Sequence, residues 1–267
     1  LAAGAEPPGA EQAQAQASPL PAEQKLWGRF VRWSYQKMGS RLYPPEADIC
    51  NCGVDFGVRI PRPELVQREG VAKDSSVWRM QMYGAALYWH MGTLPGAKAN
   101  EVDTDMLRGK DVLEVACMRG GGSRYLAEVT GARRFVATDK EQEHIDACLR
   151  LHSPVDGLEF QVVDAMDLAH AFAAESFDYV LCVQAAAWFD DIRRFIHGAC
   201  HVLRPGGSIL LCDGLQRDHL KTILESLEEL GMHLEVEDDM SRAVHAVGLC
   251  DVPKGTAYLR IVARKAQ

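Results

Sequence analysis

The chain is predicted to fold as an α/β protein, an open and mostly parallel sheet with helices on both faces and a helical extension at its N-terminal end. Three observations predict it. The run Val112-Leu-Glu-Val115 is short, β-branched and apolar, as a strand buried on both faces should be, and it enters the glycine-rich stretch Cys117-Met-Arg-Gly-Gly-Gly-Ser123 before a helix start over 123–130. Further runs of the same kind end on acids, Arg134-Phe-Val-Ala-Thr-Asp139 and Leu158-Glu-Phe-Gln-Val-Val-Asp164, and Phe177–Gln184 follows as a fourth strand. The segment Arg204-Pro-Gly-Gly207 then reads as a turn before a fifth apolar strand that closes on Asp213.

Taken in order from the start, residues 1–23 are rich in Ala, Gln, Pro and Gly without periodicity and read as a disordered lead. Residues 24–107 read as a helical arm or lid, and 108–267 as the sheet-bearing domain. Within the arm, residues 25–41 carry Lys25, Arg29, Arg32, Lys37 and Arg41 with no acid, while Leu26, Phe30 and Trp33 recur at helical spacing. This basic aromatic helix reads either as a lid that packs on the domain, which we favour, or as a docking helix for a membrane surface or a protein partner. Residues 44–71 are Pro-rich and irregular. A helix is expected over Ser75–Met91, with Trp78, Met82, Tyr83, Leu87, Tyr88 and Met91 supplying apolar bulk. After the fifth strand a covering helix is expected over Leu215–Leu230, stopped by Gly231. Two last strands are expected over 232–237 and 256–264, with 238–253 joining them.

The glycine-rich turn and the strands behind it resemble the class I S-adenosylmethionine (SAM) methyltransferases, whose first motif reads acid-x-Gly-x-Gly-x-Gly. Here the positions are Glu114, Ala116, Met118 and Gly120, followed by Gly121 and Gly122. The resemblance covers about 108–265 and is closest to the small-molecule group that acts on sterols, phosphoethanolamine and mycobacterial glycolipids. It implies a Rossmann-like seven-stranded sheet with the last strand antiparallel. It also implies SAM as cofactor, with Glu114 at its amino-acid end beside Ala116 and Gly120, Asp139 on the ribose, Asp164 and Ala165 on the adenine edge, and Gln184 as a polar end-of-strand group. Asp139 lies 25 residues beyond Glu114, a spacing at which a carboxylate can take both ribose hydroxyls. Two departures stand out. Met118 puts a flexible thioether where a close cofactor approach needs glycine, so either the glycine run re-routes the loop or the pocket is partly filled. Ala185-Ala-Ala187 provides neither acid nor base where the group usually has one.

Composition narrows the function further. The net charge of −8 argues against a nucleic-acid substrate, whose phosphates select basic surfaces. No apolar run approaches the roughly 18 residues needed for a membrane span. The eight cysteines fall mostly inside expected elements and read as buried thiols of a reducing, intracellular compartment. Neither they nor the nine histidines show metal-ligand spacing, so no metal is expected. A chain that opens on Leu1 reads as a fragment, or as a mature form left in the cytoplasm, plastid or mitochondrion after transit-peptide removal. Two functions stay open: a SAM-dependent methyltransferase of a small or lipid-like acceptor, which we favour, or a catalytically inactive subunit of the same fold with a structural role in a larger assembly. A hydroxyl acceptor would need a base, for which Tyr83, His90 and Asp190 are candidates, but the catalytic residues stay unassigned.

Overall fold

A computed structural model of the chain describes residues 44, 46–51, 53–55, 59–95, 102–103, 105–152, 154–247 and 255–267. The expected lead over 1–23 and the basic aromatic helix over 25–41 lie outside the described residues, as do Cys52 and Cys250. From Ser40 onward the described residues form one unit, so the arm that begins at Pro44 is packed into the same body as the sheet.

Helix α1, Ser76–Met91, starts where Ser75 accepts a hydrogen bond from the Trp78 amide, a side-chain cap. Its buried face is Gln81, Gly84, Ala85, Leu87, Tyr88 and Met91, so Trp78, Met82 and Tyr83 contribute less core than their bulk suggests. Two short strands, β1 (Leu94–Pro95) and β2 (Val102–Asp103), pair antiparallel beside the main sheet. The sheet then unfolds in the expected rhythm: β3 Asp111–Val115, α2 Gly121–Thr130, β4 Arg134–Asp139, α3 Gln142–Leu151, β5 Leu158–Val162, a short α4 Leu168–Ala171, β6 Phe177–Val183, α5 Ile192–Val202, β7 Leu203–Gln216, α6 Arg217–Glu229, β8 His233–Asp239, α7 Ser241–Val247 and β9 Thr256–Arg264. The strand order is β5-β4-β3-β6-β7-β9-β8, parallel from β5 to β7, with β9 running antiparallel to both its neighbours β7 and β8. Chain order reverses between β3 and β6. In open α/β sheets a ligand crevice lies at such a switch point, outside the carboxyl ends of the strands.

The central strands bury both faces. Leu113, Val180, Leu211 and Ile261 face α5 and α6, while Val112, Leu181, Leu210 and Val262 face α1, α2 and α7. At the opposite, amino edge, Arg204, in the Arg-Pro-Gly-Gly stretch that opens β7, clips three strands together. Its guanidinium donates to Asp111 Oδ2 (2.8 Å), Asp178 Oδ2 (3.0 Å) and the Ser176 carbonyl (2.8 Å), and Asp111 also takes a two-pronged contact from Arg133. These hydrogen bonds hold the Asp111 carboxyl below its usual range, against the opposing effect of burial.

Several boundaries differ from expectation: α2 starts at Gly121 rather than Ser123, and β7 takes in the expected Arg204–Gly207 turn, with a register shift against β6. The fifth strand continues through Gln216 because Leu215 is buried and pairs with Ala257, so α6 begins at Arg217. The joining segment contains α7, whose start is fixed by the Asp239 carboxylate accepting from the Ser241 amide (2.9 Å). Seven residues carry too little helical periodicity for a pattern reading to register.

Candidate active site

The turn after β3 keeps glycine-like backbone at each of the three motif positions. Ala116 has φ 55°, Met118 φ 50° and Gly120 φ 73°. The loop is therefore not re-routed around the substitutions; alanine and methionine are forced into the left-handed region, which costs a non-glycine residue about 1–2 kcal/mol. Asp139 at the end of β4 holds the strained peptide, its Oδ2 accepting from the Met118 amide at 2.9 Å and its Oδ1 from the Glu141 amide at 3.0 Å. His144 Nδ1 lies 3.0 Å from the same Oδ1. Burial lowers the His144 pKa, but the Asp139 carboxylate more than offsets this and raises it overall.

Gly121 and Gly122 are required by packing from the N-terminal side. A Cβ on Gly121 would lie 2.7 Å from the backbone carbon of Asp48, and one on Gly122 would lie 2.0 Å from the Tyr88 ring. The arm and α1 thus close directly on the glycine run. Arg119 fastens the arm by donating to the Pro44 and Ala47 carbonyls, each at 2.6 Å, and the Gly121 amide donates to the Asp48 carbonyl at 3.2 Å. The Asp48 side chain is buried against Arg68, Gln81 and His152.

Glu114 is fully enclosed. Its two oxygens accept from the Tyr88 hydroxyl (2.7 Å) and the Ser123 hydroxyl (2.6 Å). Burial pushes its pKa up to about 7, the two hydroxyl donors pull it down, and the Asp139 charge adds to the rise. Of the other predicted residues, Ala165 is buried, whereas Asp164 is exposed and caps the short helical turn over 165–167 through the Met166 amide (2.9 Å). Gln184 sits at the carboxyl end of β6 with φ 53°, its amide donating to the Cys212 carbonyl at 2.7 Å. Glu114, Ala116, Gly120, Asp139, Asp164, Ala165 and Gln184 therefore all belong to the carboxyl edge of β3, β4, β5 and β6.

Sequence reasoning missed three contributors. Tyr88 was read as bulk, and only the fold shows its hydroxyl on Glu114. His144 gave no signal. Asp213 ends the predicted fifth strand, but its partner is the alanine segment: Asp213 Oδ2 accepts from the Ala187 amide (2.8 Å) and Oδ1 from the Gly214 amide (2.6 Å), so Ala185–Ala187 contributes backbone where it lacks side-chain chemistry. Burial raises the Asp213 pKa to about 7 against these donors. Of the candidate bases, His90 is engaged by Arg260, whose Nη1 lies 2.8 Å from its Nε2; burial and that neighbouring charge push His90 down to about 4. Tyr83 is half-buried on α1, and Asp190 is exposed. No group of three or more metal-ligating side chains occurs among the described residues, and no helix among them is long and apolar enough to cross a membrane. Cys117, Cys148, Cys182, Cys200 and Cys212 are buried free thiols.

Residues 113–211 match the family model described as a methyltransferase domain. This stretch is therefore similar to methyltransferase domains. It is 41% identical over 109 residues to the phthiotriol/phenolphthiotriol dimycocerosates methyltransferase of Mycobacterium tuberculosis, a match that covers 41% of this chain and 38% of that protein. It is 38% identical over 111 residues to the fatty-acid O-methyltransferase of Mycolicibacterium smegmatis, covering 42% of this chain and 39% of the relative. The chain thus spans about two fifths of the length of these relatives. Among solved structures, the [4+2]-cyclase SpnF superimposes with TM-score 0.61 at 17% identity, over 90% of this chain and 95% of that one. The geranyl diphosphate C-methyltransferase of Streptomyces coelicolor gives 0.61 at 13% identity, over 87% and 98%. These likenesses establish the seven-stranded methyltransferase-type fold.

The two raised carboxyls of this domain make its stability depend on pH. Glu114 moves from 4.5 and Asp213 from 3.8, each to about 7. A carboxyl raised on folding contributes stability that is full below its unfolded pKa and lost as pH rises through the folded value. His90 and His152, both lowered to about 4, act in the opposite sense up to about pH 6.5. The signal is therefore read as a difference: Glu114→Gln should gain stability relative to the parent chain as pH rises from 5 to 8, approaching about 3 kcal/mol at the top of the range and read out by melting temperature. A difference that stays flat across that range would show that Glu114 ionises as an ordinary carboxyl.

Proposed function

We propose that the chain is a SAM-dependent methyltransferase acting on a small, lipid-like molecule. The observation that carries this reading is the retained left-handed backbone at Ala116, Met118 and Gly120. Strain of this kind in a connecting loop persists where function needs the shape, and here it sits at the switch point of the sheet. The donor set fits the cofactor: carboxylates stand at the ends of three adjacent strands, and Asp139, although it already accepts backbone hydrogen bonds, keeps unused lone pairs. Glu114 would set the turn at the cofactor's amino-acid end, Asp139 would accept from the ribose hydroxyls, Asp164 with Ala165 would meet the adenine edge, and Gln184 would close the edge from β6. When bound, SAM supplies a methyl group already activated on a sulfonium.

The protein's share of the reaction is to align a nucleophile and to exclude water. Tyr88 and the arm over 44–51 cover the glycine turn and keep solvent from it. His90 cannot serve as a base while its Nε2 lone pair is held by Arg260, so an acceptor that is nucleophilic without deprotonation suits this chain better than an alcohol. The mycobacterial relatives, named for a lipid and a fatty-acid acceptor, support a lipid-like class.

Isothermal titration of the chain with SAM and S-adenosylhomocysteine tests the reading. Micromolar binding by the parent chain is expected; because the left-handed backbone at Met118 is present without ligand, Met118→Gly should stabilise the fold by about 1 kcal/mol and leave that affinity nearly unchanged. Binding absent from the parent and restored by Met118→Gly would instead leave an inactive subunit with a plugged site.

A further inference from the structure

Arg260 on β9 is 1% exposed. It shares a sheet face with Tyr258 and Val262 and points toward the end of α1, where its Nη1 is fixed by His90 Nε2 (2.8 Å) and the His90 carbonyl (3.1 Å). Its Nε and Nη2, the two donors on one edge of the guanidinium, have no hydrogen-bond partner. Three other arginines use that same edge against a carboxylate: Arg133 on Asp111, Arg134 on Glu159 and Arg264 on Glu235. Those pairs lie at or near the surface. Arg260 is the more deeply buried cation, yet its fork lacks hydrogen-bond partners. The nearest carboxylate, Asp238 across the β8–β9 pairing, keeps its Oδ2 3.7 Å from Nε, beyond hydrogen-bond reach, with nearly half of its side chain in solvent.

A buried guanidinium with two unsatisfied donors is costly, and two parallel N–H groups match one ligand shape best, the two oxygens of a carboxylate. We propose that the Nε/Nη2 edge of Arg260 is the receptor for the carboxylate of a bound acid, the polar end of the lipid-like acceptor. This rests on the methyltransferase reading only in calling that acid the acceptor. The neutral His90 holds the fork in orientation without competing for the anion, since it carries no negative charge. Cys212, the register partner of Arg260 on β7, immediately precedes Asp213 of the site described above, so the fork stands beside the carboxyl edge of the sheet.

The test titrates the full chain with dodecanoate and with methyl dodecanoate, in the absence of SAM. The acid should bind at least tenfold more tightly than its ester. Arg260→Gln should abolish that margin, Arg260→Lys, which keeps the charge but loses the fork, should retain only part of it, and Asp238→Asn should leave it intact. An equal affinity for acid and ester in the parent chain would overturn the proposal. So would a margin that survives in Arg260→Gln or, should that variant not fold, one that stays undiminished in Arg260→Lys. A margin lost in Asp238→Asn as fully as in Arg260→Gln would also overturn it, marking the pair as a cross-strand structural contact. SAM titration of the same samples separates the two readings: a chain that prefers the acid but never binds SAM keeps the receptor and loses the methyltransferase assignment.

Discussion

Gly122→Ala should destabilise the chain by about 3 kcal/mol or more, the upper end of what overpacking costs. A methyl group there would lie 2.0 Å from two atoms of the Tyr88 ring, and that ring is buried with its hydroxyl on Glu114. Relief requires either α1 to lift off α2 or Tyr88 to leave its position, and the second route removes one of the two donors from a buried carboxyl. Urea denaturation of the variant and its parent measures the loss. In a Tyr88→Ala background the same substitution should cost under 1 kcal/mol, because the clash has gone. A loss below 1 kcal/mol with Tyr88 present would show that α1 slides freely on the glycine run.

Asp139→Ala should weaken SAM binding by about a hundredfold or more. Two hydrogen bonds to an ionised acceptor are each worth about 1.5–3 kcal/mol, and the same carboxylate anchors the strained Met118 peptide at 2.9 Å. Stability should fall as well, by less than the 3–5 kcal/mol typical of a broken buried ion pair, because His144 can release its proton once its partner is removed. Asp139→Asn keeps the shape but turns one of the two acceptors into a donor that faces a backbone amide, so it should lose stability as well as affinity, though less of each than Asp139→Ala. Titration calorimetry beside denaturation separates the two effects. An Asp139→Ala chain that binds SAM as the parent does would remove this residue from the site.

Much of this was legible in the sequence, for identifiable reasons. β4 was bounded at Arg134 and Asp139 because a strand buried on both faces must be apolar throughout and its first polar residue after the run marks the exit. Glu114, Asp139 and Asp164 are legible because each lies at or within two residues of the end of such a strand, where the parallel sheet brings all the carboxyl termini to one edge. The short helix α7 was not, because seven residues give fewer than two turns of periodicity. The glycine run is legible as a tight place, but not what makes it tight. Gly121 and Gly122 make room for Asp48 and Tyr88, residues 73 and 34 positions away along the chain.

The sequence by itself determined the succession of strands and helices along the chain and the acids at the strand ends, since these follow from local apolar patterning and turn residues, while the seven-stranded sheet came only as what the family resemblance implies. Only the tertiary structure decided what those residues touch. Tyr88 reaches Glu114, Asp213 holds the alanine segment, Met118 is kept left-handed by Asp139, and Arg260 is buried with one edge lacking hydrogen-bond partners. Each depends on a contact between distant segments, and such contacts arise from packing in three dimensions, which leaves no periodic trace along the chain.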